Sequence, residues 1–342
     1  MRAVVYEAVG APPELRHVPE PDCPPDGAVV AVRATGVCRS DWHAWRGHDP
    51  VPLPNVPGHE FAGVVAELGP RVTGFAVGDR VTVPFVNACG RCHWCRTGQA
   101  QVCPDQTQPG FTHPGSFAER VVVRAAGFNL VRLPDQVDFV TAASLGCRFA
   151  TAYHGLTAQG RLAAGEWLAV LGCGGVGLSA VMIGVALGAR VLAVDPSGAA
   201  RGRAAELGAE ATLSAPDPDA IIRATGGGAD VGMDALGSAA TAAASLLGLR
   251  RRGRHVQVGL MLGEHAHAAL PWGAVVAREL EVRGSHGMAA ADYPGLLSMI
   301  SDGRLDPGRL VGRTVALGEA GRELAALDDP VPAAAGMVVA IV

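Results

Sequence analysis

Cys38, Ser40, Asp41 and His43 fall in one short run, Cys-Arg-Ser-Asp-Trp-His, and Gly58-His59-Glu60 follows soon after. Together they supply a thiol, a hydroxyl, carboxylates and imidazoles, the donor types of a zinc site coupled to a proton path. A cysteine standing alone is more often a small buried apolar side chain than a ligand, so this pair of stretches needs support from elsewhere. Support begins at Cys89-Gly90-Arg91-Cys92-His93-Trp94-Cys95 and Cys103-Pro104. Four thiols with Cys-x-x-Cys steps can close around one tetrahedral ion, pinning a loop and leaving no position for substrate. Disulfides are disfavoured in an intracellular setting. An iron–sulfur cluster is the sharper rival, because ferredoxins use similar steps and a final Cys-Pro, but here seven residues rather than three precede the last cysteine. Structural zinc is the expectation.

A second chemistry lies further on. Trp167-Leu168-Ala169-Val170-Leu171 reads as a buried strand, Gly172-Cys173-Gly174-Gly175-Val176-Gly177 as its turn, and the apolar run to Gly188 as a helix. No charge appears from Trp167 to Ala189, yet the glycines argue against a membrane span. The strand Arg190-Val191-Leu192-Ala193-Val194 then ends at Asp195. Gly-x-Gly-x-x-Gly between strand and helix, with an acid closing the next strand, is a dinucleotide fingerprint. Its glycines let backbone N–H groups approach a pyrophosphate at the helix N-terminus. Asp195 can accept hydrogen bonds from the adenosine ribose and would repel a 2′-phosphate, so NAD is expected in preference to NADP. Arg201 and Arg203 are the residues that would favour NADP if they reached such a phosphate.

These groups need a scaffold. The chain has 342 residues, 49% hydrophobic and 18% charged, enough for a large core and two domains. A net charge of -4 gives no footprint for nucleic acid. All 28 basic residues are arginine, which excludes lysine Schiff-base chemistry and a P-loop lysine. Met1-Arg2-Ala3-Val4-Val5-Tyr6-Glu7 meets an acid at once and builds no signal-peptide core, so a soluble cytoplasmic protein is expected. Up to about residue 36, short alternating stretches broken by Pro-Gly clusters predict an irregular β-rich domain, continued by 64–69 and 78–83. Strands at 211–213, 230–235 and 254–259, alternating with helices, predict a doubly wound parallel sheet with its ligand crevice at the strands' carboxyl ends. A helix near 290–303 and a last strand at 337–342 are expected to return to the first domain. His265 and His267 are expected on a surface strand without a role, as are Cys23 and Cys173 in their turns. Cys147 sits in Ser144-Leu145-Gly146-Cys147-Arg148-Phe149, a helix start.

The Cys-x-Ser-Asp-x-His run, Gly58-His59-Glu60, the four-cysteine lobe, Gly146-Cys147 and the glycine fingerprint occur in the order found in zinc-dependent medium-chain alcohol dehydrogenases, and the chain resembles that family along essentially its whole length. The resemblance implies an α/β protein with a β-rich catalytic domain over 1–150, completed by 285–342, and an NAD-binding Rossmann domain over 151–284. It implies Cys38, His59 and Cys147 as ligands of a catalytic zinc, a Cys2His set general to alcohol dehydrogenase. Glu60 would approach the metal, Asp41 would orient His59, Ser40 would take the substrate proton and His43 would pass it to solvent through the nicotinamide ribose. Cys89, Cys92, Cys95 and Cys103 would hold a structural zinc. Thr151, Gly172, Gly174, Gly175, Val176, Gly177, Asp195 and Val258 would contact the cofactor, and Phe85 and Trp45 would wall the pocket. The implied reaction is reversible hydride transfer between a small primary or secondary alcohol and NAD, giving aldehyde or ketone. The alternatives are a polyol- or threonine-type zinc dehydrogenase and a non-catalytic NAD(H)-binding zinc protein. Neither nucleic acid nor membrane is an expected partner. Two positions depart from the family: Ala200 and Met337 stand where many members carry Lys and Arg. The short segment between Cys103 and Gly115 favours a homotetramer over a dimer.

Overall fold

Ten residues of near-continuous apolar character, Ala28–Val37, form the longest strand of the first half of the chain. It is β3, preceded by an antiparallel ribbon of β1 (Arg2–Val5) and β2 (Glu14–His17). β3 pairs antiparallel with β4 (Glu60–Leu68), which pairs with β5 (Arg80–Thr82); β6 (Arg120–Val123) pairs with β3, and β7 (Val131–Arg132) with β5. Val30, Val32, Phe61, Val65, Val81, Val121 and Val123 fill the core beneath these strands. The register sets Gly36 opposite Glu60, so the chain leaving β3 at Cys38 runs beside the chain entering β4 at His59. Helix α1 (Arg39–Trp45) begins immediately after Cys38.

The computed structural model describes residues 1–328 and 336–342, and the chain divides into two units. One contains residues 1–150 with 287–328 and 336–342; the other contains 151–286. The second unit holds β8 (Trp167–Leu171), β9 (Arg190–Val194), β10 (Ala211–Leu213), β11 (Ala229–Asp234), β12 (Leu249–Gln257) and β13 (Glu281–Gly284). All pair in parallel in the order β10-β9-β8-β11-β12-β13, the doubly wound arrangement of a Rossmann fold. The uncharged run after Trp167 is thus β8, a glycine turn and the helix Gly175–Ala186, and no helix among the described residues is long and apolar enough to cross a membrane. His265 and His267 lie not on a strand but in a short 3-10 helix, Gly263–His267. Gly263 lies in the left-handed region, which ends extended backbone.

The chain re-enters the first unit through the helix Tyr293–Ser301, β14 (Val311–Ala316) and β15 (Met337–Ile341). β15 adds to the far side of β3 in antiparallel register and pairs in parallel with β14.

Candidate active site and metal centres

Cys38, His59 and Cys147 come from three separate places: the end of β3, the start of β4 and a single π-helical turn, Leu145–Phe149. Their ligand atoms lie within 4.8 Å of one another. The Asp41 carboxylate sits 2.8 Å from Nδ1 of His59 and also accepts the backbone N–H of Gly58 at 2.9 Å. Nδ1 is thereby the donor, which leaves Nε2 with its lone pair. That nitrogen is buried without a hydrogen-bond partner. A buried, orphaned imidazole nitrogen beside two thiols is costly in a metal-free protein and is a ligand set for zinc. The thiols are electronically unequal: a hydrogen bond from Cys147, against the cost of burial and with help from Arg148, holds Cys38 well below its ordinary value, and Cys147 is pushed up. The pair shares one proton, which a dication would displace.

Glu60 is not part of that donor group. Its carboxylate accepts from the Arg148 backbone N–H at 2.9 Å and from Nε at 3.2 Å, and it forms an ion pair with Nη2. Both side chains are buried, and a Cβ on Gly36 would stand 2.7 Å from the Glu60 carboxylate. Arg148 was not singled out by sequence; its signal is only that a cation follows a candidate ligand.

Ser40 Oγ lies 3.9 Å from Cys38 Sγ on the first turn of α1. His43 lies one turn further, half-buried, with its Nδ1 3.1 Å from Nδ1 of His48. Burial, His48 and Arg39 lower its pKa below that of a free histidine. Phe85 and Phe111 set their rings edge-on to His59, with centroids 6.1 and 5.3 Å away. Trp45, expected at a pocket wall, instead packs into the core at 4% exposure, with its indole N–H on the Ala11 carbonyl.

In the cysteine lobe, Sγ atoms are 3.4 Å apart for Cys92–Cys95, 3.7 Å for Cys92–Cys103 and 3.9 Å for Cys89–Cys95. A tetrahedron with Zn–S bonds of about 2.3 Å has edges of about 3.8 Å, whereas a disulfide spans about 2.05 Å. The four thiols therefore fit one ion and no disulfide. Backbone N–H groups of Arg91 and Cys92 bring the Cys89 thiol down to about 7, burial opposing, which favours the thiolate a metal needs.

In the second unit, Gly172 adopts φ +94° and a Cβ on Gly177 would fall 1.7 Å from the Gly172 carbonyl oxygen, so this strand-to-helix turn admits no side chain there. Gly174 caps the helix that starts at Gly175 and continues through Val176. Asp195 accepts from the backbone N–H groups of Cys173 and Ser197, both at 2.8 Å, and so ties its own loop to the glycine turn. Arg201 folds back onto the carbonyls of Asp195 and Pro196, and Arg203 pairs with Glu206. Thr151 Oγ1 is buried without a partner, and Val258 directly follows β12, its N–H on the Asp234 carbonyl. Ala200 and Met337 are both buried in the packing.

A closed thiol tetrad, an open Cys2His group and a glycine turn under a parallel sheet define a zinc-binding, nucleotide-dependent dehydrogenase. Residues 24–135 match the model of the alcohol dehydrogenase GroES-like domain, and residues 175–302 that of the zinc-binding dehydrogenase domain. An alcohol dehydrogenase of Geobacillus stearothermophilus is 37% identical over 76% of this chain and 78% of its own length. One from Rhizobium meliloti is 36% identical over 89% of each. The structure of the alcohol dehydrogenase TADH from Thermus sp. ATN1 superposes with a TM-score of 0.92 at 32% identity, covering 100% of this chain and 99% of that one. The chain belongs to the zinc-dependent medium-chain alcohol dehydrogenase family.

Proposed function

We propose that the protein catalyses reversible hydride transfer between a small primary or secondary alcohol and NAD, giving aldehyde or ketone. The observation that carries this reading is the unpartnered Nε2 of His59 beside the Cys38 and Cys147 thiols, one helix turn from a hydroxyl and a second imidazole. Cys38, His59 and Cys147 would hold a catalytic zinc, with Glu60 tied back by Arg148 next to it; Cys89, Cys92, Cys95 and Cys103 would hold a structural one. When bound, zinc supplies the Lewis acidity that lowers an alcohol's pKa, and NAD supplies the hydride acceptor. The chain's own residues do the rest. Asp41 fixes the tautomer and ring orientation of His59. Ser40 takes the hydroxyl proton of the substrate and His43, neutral because its pKa is depressed, receives it for release to solvent.

The unit of residues 1–150 and the C-terminal return acts as the catalytic domain, and 151–286 as the NAD domain. Thr151, Val258 and the Gly172–Gly177 turn would contact the cofactor. Asp195 at the end of β9 supports NAD over NADP, since Arg201 is engaged by the carbonyls of Asp195 and Pro196 and Arg203 by Glu206 in its own helix. A cytoplasmic homotetramer completes the proposal.

NADH formation by the purified enzyme across primary, secondary, aromatic and polyhydric alcohols, with and without a zinc chelator, tests it. Chelator-sensitive turnover of simple alcohols is expected. Preference for polyols would move the assignment to the polyol type, and no turnover of any alcohol with both zincs bound would overturn catalysis in favour of a binding protein.

A further inference from the structure

The C-terminus of α1 closes in a pattern that bears on the proton path. Gly47 adopts φ +75°, its N–H bonds to the Ala44 carbonyl at 3.0 Å, and the N–H of His48 bonds to the His43 carbonyl at 2.9 Å. This is a Schellman motif, in which the second residue past the helix is folded back onto the residue that accepts its N–H. That contact is usually apolar. Here it joins two imidazoles, with Nδ1 of His43 and Nδ1 of His48 3.1 Å apart and both rings edge-on to Trp42, at 4.9 and 5.2 Å. His43 is half-buried and His48 exposed, so the pair runs from the site outward to water.

We propose that His48 is the proton-exit residue of the site, receiving from His43 the proton released by the alcohol. The proposal rests on the relay role assigned to His43 above. In the proposed relay His43 Nδ1–H donates at this contact, so that His43 Nε2 is free to accept and His48 carries its proton on Nε2. A proton arriving at His43 Nε2 forms an N–H bond there as the Nδ1–H bond breaks, its proton bonds to His48 Nδ1, and the Nε2 proton of His48 leaves to water. One proton enters and one leaves, neither ring retains charge, and exchange with water restores the starting tautomers. Carbonyl reduction runs the same chain inward. The Arg39 guanidinium nearby, stacked over Trp42, disfavours a cation resting on His43 and so favours passage onward. The charges of Arg46 and Asp328 on the outer side of α1 are paired with each other.

The test uses His48→Gln, which can still accept a hydrogen bond from His43, and His48→Leu, which keeps an apolar Schellman contact. Neither carries a proton. Single-turnover proton release, followed with a pH indicator alongside NADH formation, should slow by about tenfold in both variants in dilute buffer, below the ~10²–10⁴-fold typical of a direct acid–base group. KM for the alcohol should not change. Raising a non-coordinating buffer base at constant pH and ionic strength should restore the variants and leave the native enzyme unaffected. Native rates in either variant, or a deficit that buffer does not relieve, would overturn the role of His48. His43→Gln separates the two layers: if it is slow while His48→Gln is not, only the exit step is wrong, and if it is as fast as the native enzyme the relay itself fails and the proposal with it.

Discussion

Asp41 and His59 form a buried pair: the carboxylate is 1% exposed, the imidazole 1%, and they meet at 2.8 Å. Although burial alone would lower it, the Asp41 charge and hydrogen bond hold the His59 pKa well above its ordinary value. With an ion bound, the same pair would keep the proton on Nδ1 and strengthen Nε2 as a donor.

Asp41→Asn should therefore weaken zinc at the Cys38–His59–Cys147 site by about 10–100-fold, the range for such supporting partners. Competition with a chromogenic chelator measures it. The four-cysteine site, which Asp41 does not touch, serves as the internal control: loss of both ions together would mean that the substitution had disrupted the fold instead.

Arg148 makes a different kind of pair with Glu60. The carboxylate is fully buried, and burial raises its pKa while Arg148 draws it back. Arg148→Met would leave a buried carboxylate without its cation, at a cost of about 3–5 kcal/mol. Arg148→Met combined with Glu60→Gln should recover much of that loss, because the pair is replaced and not broken. Denaturant unfolding of the native protein, both single variants and the double variant gives the cycle; equal destabilisation in the single and the double variant would refute the pairing argument.

Asp195 ties its own strand end to the glycine turn through the N–H groups of Cys173 and Ser197. Asp195→Asn removes the charge and keeps one oxygen as acceptor. On the proposed cofactor assignment it should raise KM for NAD and lower the NAD:NADP ratio of kcat/KM by about tenfold, roughly 1.4 kcal/mol of discrimination. An unchanged ratio would place the cofactor preference on other residues.

Much of this architecture was legible in the sequence because local pattern and chemistry coincide. The glycine run after Leu171 marks a tight passage from strand into helix, and Gly177, in the first turn of that helix, tolerates no Cβ against the Gly172 carbonyl. The spacing of Cys89, Cys92, Cys95 and Cys103 states its own closure. What sequence does not state is long-range partnership. Arg148 reads as an ordinary cation until the Gly36–Glu60 register brings Glu60 under the π-turn, and Trp45 reads as a pocket residue until its indole finds the Ala11 carbonyl. His48 looks like part of a polar turn, and only the left-handed Gly47 folds it onto His43. The same limit applies to Asp234, whose carboxylate gathers the N–H groups of Leu236 and Gly237 with the Thr241 hydroxyl and the Gln257 amide at the ends of β11 and β12.

Next to Asp234 lies a histidine that makes stability depend on pH. His255 is 1% exposed, with Ser245 Oγ 2.8 Å from Nδ1 and Gln257 Oε1 3.2 Å from Nε2. Gln257 Oε1 accepts from Nε2–H and the serine hydroxyl donates to Nδ1, a set that fits the neutral ring. Burial depresses its pKa, while Asp234 and Gln257 oppose the shift. Below about pH 6.5 the unfolded chain binds a proton at this histidine that the folded chain refuses, so stability is full above that pH and declines as pH falls toward the depressed folded value. His255→Gln should lose stability at pH 7.5 through its altered contacts, yet lose less than the native protein on going from pH 7.5 to 5.5. Urea unfolding of both proteins at the two pH values decides it. Parallel losses would show that His255 takes no part in the acid sensitivity and that its hydrogen bonds survive protonation.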